Sequence, residues 1–277
     1  MEPLEEITGR YVSVGGTRTF FDEIGTGIPI VCIHTAGSDS REYRYLLPLL
    51  AKSGMRAIAV DLPGHSRSYP VDWRPTQTIH EHAEFVCQFG RAVCDQRFVV
   101  IGCSIGGDIT IDLIANHSDE LLAAVPMEGA AWTPTFPNPA EMSRPSWMPG
   151  WQDVMERAAI SSLARCVPAE RVTELRWQHR GSQLTAAGDL CGWANHDVRG
   201  RLRGARCPVL LVVGREDFWV PVELVQATAR ELPDCEMEVL DQVGHYPMFE
   251  APERVAALVV KFLQRKGLLS GGEARRA

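Results

Sequence analysis

Short apolar runs alternate along the chain with stretches whose apolar residues recur at helical spacing. Pro29-Ile30-Val31-Cys32-Ile33 and Phe98-Val99-Val100-Ile101 are continuously apolar, as suits strands covered on both faces. Residues 18–24, 55–60, 123–126, 208–213 and 236–240 read as further strands. Helical periodicity runs from 76 to about 96, from 105 to about 116, and over 222–231 and 252–266; residues 46–52 read as a helix end. Thr76 offers a polar start to the first of these, and Pro252 suits the first turn of the last. The order predicts a mostly parallel α/β sheet flanked by helices. From 130 to about 205 the alternation stops. Residues 1–129 and 206–277 are therefore expected to form the core, and 130–205 an inserted helical cap. That insert holds Trp132, Trp147, Trp151, Trp177 and Trp193, and Trp219 follows it. Ligands of open α/β sheets bind outside the carboxyl ends of the strands, so a cap there acts as a lid. The six tryptophans are expected to wall an apolar substrate pocket.

Composition narrows the classes of function. The 277 residues are 45% hydrophobic and 23% charged, ordinary globular usage. A net charge of −7 speaks against a general nucleic-acid binder, which needs a basic face. No apolar run approaches the roughly 20 residues that span a bilayer. The acidic start, Met1-Glu2-Pro3-Leu4-Glu5-Glu6, lacks the pattern of a signal peptide, so a cytoplasmic location is expected. The eight cysteines are scattered and include no Cys-x-x-Cys pair; buried free thiols in a reducing compartment are expected. His80 and His82 are two residues apart and fall on different sides of a helix, so no metal site is expected.

The chemistry concentrates in Gly102-Cys103-Ser104-Ile105-Gly106-Gly107, which follows a predicted strand and opens a predicted helix. A serine on so sharp a turn needs neighbours without a Cβ. The helix starting at Ile105 aims its N–H groups where an oxyanion can form. Neither a P-loop nor a dinucleotide fingerprint is present, so no cofactor is expected. A serine nucleophile needs a base, and the base an orienting acid. Two strand-end loops supply them: Gly214-Arg215-Glu216-Asp217-Phe218-Trp219 and Asp241-Gln242-Val243-Gly244-His245-Tyr246. Ser104, Asp217 and His245 make the triad in the expected chain order, with Glu216 and Asp241 as the rival acids.

These motifs, with Asp61-Leu62-Pro63-Gly64-His65-Ser66, Gly214-x-x-Asp217-x-x-x-Pro221 and Gly244-His245-x-Pro247, resemble the α/β-hydrolase superfamily over nearly the whole chain outside the insert and tails. The resemblance implies an α/β-hydrolase fold and hydrolysis through a covalent serine intermediate without a cofactor. It also implies an oxyanion loop at His34-Thr35-Ala36-Gly37-Ser38-Asp39, with the Ala36 and Ile105 N–H groups as donors. Thr35 stands where the family has glycine, so an altered loop geometry is expected. His34, Asp61 and His65 are read as ordering their turns.

The reading favours a carboxylic ester or lactone of a bulky, weakly polar small molecule, cleaved through an acyl-enzyme. The alternatives are C–C bond hydrolysis of a diketone-type ring-cleavage product, cofactor-free perhydrolase or haloperoxidase activity, and a non-catalytic receptor. The C–C reaction calls for a basic cap residue, for which Arg165, Arg176 and Arg180 are candidates. Neither a nucleic acid nor a membrane is expected as a partner, and the sequence leaves the oligomeric state open.

Overall fold

The structure, a computed structural model, describes residues 6–134, 150–179 and 182–270, with Trp151 and Gln183 described in their backbone alone. Eight strands form one sheet: β1 (Thr8–Val14), β2 (Thr17–Ile24), β3 (Ile28–Ile33), β4 (Met55–Val60), β5 (Phe98–Cys103), β6 (Leu121–Met127), β7 (Val209–Gly214) and β8 (Cys235–Leu240). Their order is β1-β2-β4-β3-β5-β6-β7-β8. The first two pairings are antiparallel and the remaining five are parallel. Every residue of β5 and β7 is buried, which is why these strands read as unbroken apolar runs. Strand β1 was not expected. It is an edge strand, largely exposed, and lacks the apolar run that marks the interior strands.

Helices α1 (Leu47–Lys52), α2 (Ile79–Val93), α3 (Ile105–His117), α7 (Val222–Ala229), α8 (Pro247–Glu250) and α9 (Pro252–Arg265) belong to the core. Two apolar clusters form around the sheet, one including Phe21, Phe89 and Ile109, the other Leu50, Phe249 and Phe262. The sequence places the start of α2 at Thr76, but the cap is Thr78. Its hydroxyl accepts the Glu81 N–H at 3.1 Å while Glu81 accepts the Gln77 N–H at 3.3 Å, a reciprocal capping arrangement.

Between β6 and β7 the described residues form three helices of the cap: α4 (Trp151–Ser161), α5 (Ala169–Gln178) and α6 (Gln183–Ala194). The ends of this insertion meet at a bridge between Trp132 and Asp197. Flanking it, the Val198 N–H donates to the Ala131 carbonyl at 2.8 Å and the Thr133 N–H to that of His196 at 3.0 Å. Helix α6 lies close against the core. A Cβ on Gly188 would come 2.2 Å from the Thr76 carbonyl oxygen, so only glycine permits this approach. No helix among the described residues is long and apolar enough to cross a membrane.

Candidate active site

Ser104 stands between β5 and α3 with φ 58° and ψ −121°, a conformation that costs a non-glycine residue about 1–3 kcal/mol. The surroundings hold it there. Its N–H donates to the Met127 carbonyl at 3.0 Å, and its own carbonyl accepts the Asp108 N–H at 2.9 Å. A Cβ on Gly102 would lie 2.0 Å from the Gly106 oxygen, and one on Gly106 would lie 2.3 Å from the Ile33 oxygen. The two glycines of the motif are thus required by backbone contact, Gly102 across the turn and Gly106 against the end of β3. Ile105 is the first residue of α3, so its N–H is among those a helix leaves without an internal partner.

The loop after β8 carries His245. Glu250, on α8, accepts the N–H groups of Gly244, Tyr246 and Ala164, each at 2.9 Å. The His245 N–H donates to the Ser162 carbonyl at 2.9 Å, so the cap also fixes this loop. His245 Nδ1 lies 2.7 Å from Asp217 Oδ2, while Asp217 Oδ1 accepts the Trp219 N–H at 2.7 Å. Burial is the largest single influence on His245 and disfavours the charged ring. The charge and hydrogen bond of Asp217 outweigh it, and the ring titrates above the ordinary histidine value. Asp217 shows the converse: burial raises its pKa, but His245 pulls it below the usual carboxylate range. Of the rival acids, Glu216 is exposed and accepts the Arg165 N–H, and Asp241 is exposed and pairs with Arg215. Asp217 is the one of the three in contact with His245.

A third carboxyl joins them. Glu128, directly after β6, is buried in a left-handed conformation at φ 48° and accepts the Gly214 N–H at 2.5 Å. Burial, and then the Asp217 charge, hold its carboxyl neutral well above the ordinary range. A neutral Glu128 carries a proton that it can offer to the neighbouring Asp217 carboxylate. Sequence reasoning missed it; the available signal was an acid at the end of an otherwise apolar strand. Glu128, Asp217 and His245 offer ligand atoms within 4.8 Å of one another. Within this cluster His245 Nδ1 and Asp217 Oδ2 are bonded to each other and Glu128 Oε1 to the Gly214 N–H, while Glu128 Oε2 is buried without a hydrogen-bond partner.

The oxyanion loop follows β3. Thr35 keeps an ordinary backbone, and the positive φ of 66° falls on Gly37, so threonine at the usual glycine position strains nothing. His34 is buried and neutral, its pKa lowered first by burial and then by nearby His65. It accepts the Leu62 N–H at Nε2 (3.1 Å) and so donates from Nδ1 to the Thr35 carbonyl (2.7 Å).

Ser104, His245, Ala36 and Ile105 all border one cavity of about 240 Å³ at the carboxyl edge of the sheet. Met155, Trp193 and Trp219 are among its apolar walls. The rings of Trp193 and Trp219 meet edge-to-face at 6.0 Å, and Trp219 Nε1 donates to Ser162 Oγ at 2.7 Å. Trp132 and Trp177 depart from the expectation. Trp132 lies outside the cavity lining, in the bridge that closes the insertion, with the Arg199 guanidinium 5.0 Å from its ring. Trp177 is 73% exposed, because α5 buries Leu175 and Gln178 and turns Trp177 the other way. Trp147 and the side chain of Trp151 lie outside the described residues.

A strand–turn–helix serine, a strand-end histidine–aspartate pair and an eight-stranded mostly parallel sheet with a helical cap define an α/β hydrolase. Residues 30–258 match the model of the alpha/beta hydrolase family, and the chain belongs to that family. The chain is 26% identical over 270 residues to a 2-hydroxymuconate semialdehyde hydrolase of Pseudomonas sp. (strain CF600), covering 92% of this chain and 93% of the relative. It is 24% identical over 259 residues to a pimeloyl-[acyl-carrier protein] methyl ester esterase of Vibrio atlanticus (strain LGP32), covering 87% and 96%. Its fold is similar to the crystal structure of the enol-lactonase from Burkholderia xenovorans LB400, with a TM-score of 0.83, 19% identity and coverage of 92% and 100%.

Proposed function

We propose that the protein hydrolyses a carboxylic ester or lactone of a bulky, weakly polar small molecule through an acyl-enzyme. One observation carries this reading: Ser104 and His245, the latter held by Asp217, border the same apolar, tryptophan-walled cavity. Ser104 Oγ attacks the substrate carbonyl as His245 takes its proton. Asp217 fixes the imidazole tautomer and stabilises the imidazolium. The N–H groups of Ala36 and Ile105 hold the oxyanion. The protonated His245 then delivers its proton to the leaving alkoxide. Water then attacks the acyl carbon as His245 takes its proton, and His245 passes that proton to Ser104 Oγ as the acyl–serine bond breaks and the acid leaves.

A second reading is hydrolysis of a C–C bond, favoured by the 2-hydroxymuconate semialdehyde hydrolases among the relatives. The described part of the cavity lends it less support. Its lining contains neither Arg nor Lys to fix a substrate carboxylate. Of the basic candidates, Arg176 pairs with Glu156, Arg165 lies outside the lining, and Arg180 lies outside the described residues. The free state of all eight cysteines supports a reducing, cytoplasmic setting.

The deciding experiment is turnover of matched esters, lactones and ring-cleavage diketones, with and without hydrogen peroxide, using Ser104→Ala as control. Serine-dependent ester or lactone turnover well above that of diketones is expected. Turnover confined to diketones would select the second reading.

A further inference from the structure

The three residues Thr35-Ala36-Gly37 are held from both sides. On one side the Thr35 N–H donates to Glu42 Oε2 at 2.9 Å and the Thr35 hydroxyl to Glu42 Oε1 at 2.7 Å. Glu42 is buried and receives His179 Nε2, from the end of the α5 region of the cap, at 3.1 Å. Burial alone would raise the Glu42 pKa, but the hydrogen bonds from His179 and Thr35 bring it below the ordinary value, so it is a charged anchor. On the other side the Gly37 N–H donates to Asp189 Oδ2 at 2.8 Å. Asp189 lies on α6 of the cap and is fully buried. Its two oxygens also meet His65 Nε2 at 2.8 Å and His82 Nε2 at 3.2 Å, both from the core. A Cβ on Gly37 would lie 3.0 Å from the Ala186 Cβ, so α6 also packs directly on this turn.

We propose that the cap positions the oxyanion donor: Asp189 directly, and His179 through Glu42, fix the amides on either side of Ala36 and so aim the Ala36 N–H. Both are positioning residues and neither has to touch substrate for this role. The argument rests on the serine-hydrolase reading above, because it assigns the Ala36 N–H to the oxyanion. Its physical basis is the short reach of that interaction. A donor works only at about 2.7–3.1 Å from the developing charge, and losing one costs about 10²–10³ in kcat. Two neighbouring amides tied to buried carboxylates leave the intervening peptide little freedom. The cap thus acts on the chemical step as well as on substrate choice.

The test compares the parent with Asp189→Asn and Glu42→Gln, using a small activated ester that reaches little of the cap. A trifluoromethyl ketone, which forms a serine hemiketal carrying an oxyanion, is paired with the matching methyl ketone. Each folded variant is expected to lose at least about tenfold in kcat with KM within about twofold. The trifluoromethyl ketone should weaken by a similar factor while the methyl ketone does not. A raised KM at unchanged kcat, equal weakening of both ketones, or no change would overturn the proposal.

Asp189 serves two buried histidines, so hydrogen exchange on the parent provides a reading that needs no variant. Protection of residues 34–39 should rise and fall with that of 183–194 as denaturant is added, and independent opening would overturn the proposal. A parent that neither turns over esters nor takes a fluorophosphonate on Ser104 would overturn the hydrolase reading along with it. An active, labelled parent with unaffected variants would overturn the clamp alone.

Discussion

Two histidine–aspartate pairs stand near the oxyanion loop, and they differ in what else their atoms meet. His245 and Asp217 lie 2.7 Å apart on two core loops, and the His245 ring borders the cavity beside Ser104. His65 and Asp189 lie 2.8 Å apart, with side chains 1% and 0% exposed, and His65 Nδ1 is engaged by the Pro63 carbonyl at 3.1 Å. In each pair burial works against charge, the ion pair prevails, the histidine pKa rises and the aspartate pKa falls. Perturbed titration therefore does not separate the catalytic candidate from the structural one. What separates them is whether the imidazole opens onto a cavity containing a nucleophile.

The largest effect should come from Asp217→Asn, which keeps the shape but presents the wrong tautomer to His245. We expect kcat to fall about 10⁴-fold with little change in melting temperature. A comparable loss from a folded His65→Gln variant would erase the contrast between the pairs.

Next is Asp189→Leu, which removes the partner of two buried histidines. It should destabilise the fold by about 3–5 kcal/mol in urea denaturation, far more than Asp217→Asn. Equal stability losses in the two variants would contradict the division of roles.

Changing pH should sharpen the contrast. His245 must be neutral to act as a base, so kcat/KM should rise with pH along a limb above the ordinary histidine value. The raised pKa of His65 acts on stability in the opposite sense. Its contribution is complete below the unfolded-chain value and is lost as pH climbs through the higher folded value. Melting temperature should therefore fall over a pH range where activity is still rising. Parallel changes in the two quantities would count against the assignment.

The smallest effects belong to the tryptophans, where facing again decides. Trp193→Ala should weaken binding of bulky esters by about 1–3 kcal/mol and spare small ones. Trp177→Ala, on the exposed face of α5, should leave the substrate profile unchanged. Identical profiles for the two variants would show that the cavity wall is misassigned.

What could be read from the chain was local. Ser104 was legible because strand, turn and helix follow one another within a few residues, and the buried strands were legible as apolar runs. Asp217 was one of three acids until the loops were placed in space. The contacts that tie the cap to the oxyanion loop were not legible at all. His65 and Asp189 are 124 positions apart, and His179 and Glu42 are 137 apart. No periodicity joins residues across such distances. Trp177 was misread because composition counts aromatic rings without saying which way a helix turns them.

The bridge between Trp132 and Asp197 bears on how such a protein can be rebuilt. With its two ends side by side, the insertion resembles a cassette that could be exchanged between relatives without lengthening any connection in the sheet. The exchange is not free, however. A transplanted cassette must bring its own acceptor for the Gly37 N–H and its own partner for Glu42. A graft chosen only to reshape the pocket would loosen the turn that carries Ala36. In directed recombination, the crossover points for this chain are therefore not the two bridged ends alone: residues 35–42 should travel with 133–196 as one inherited unit.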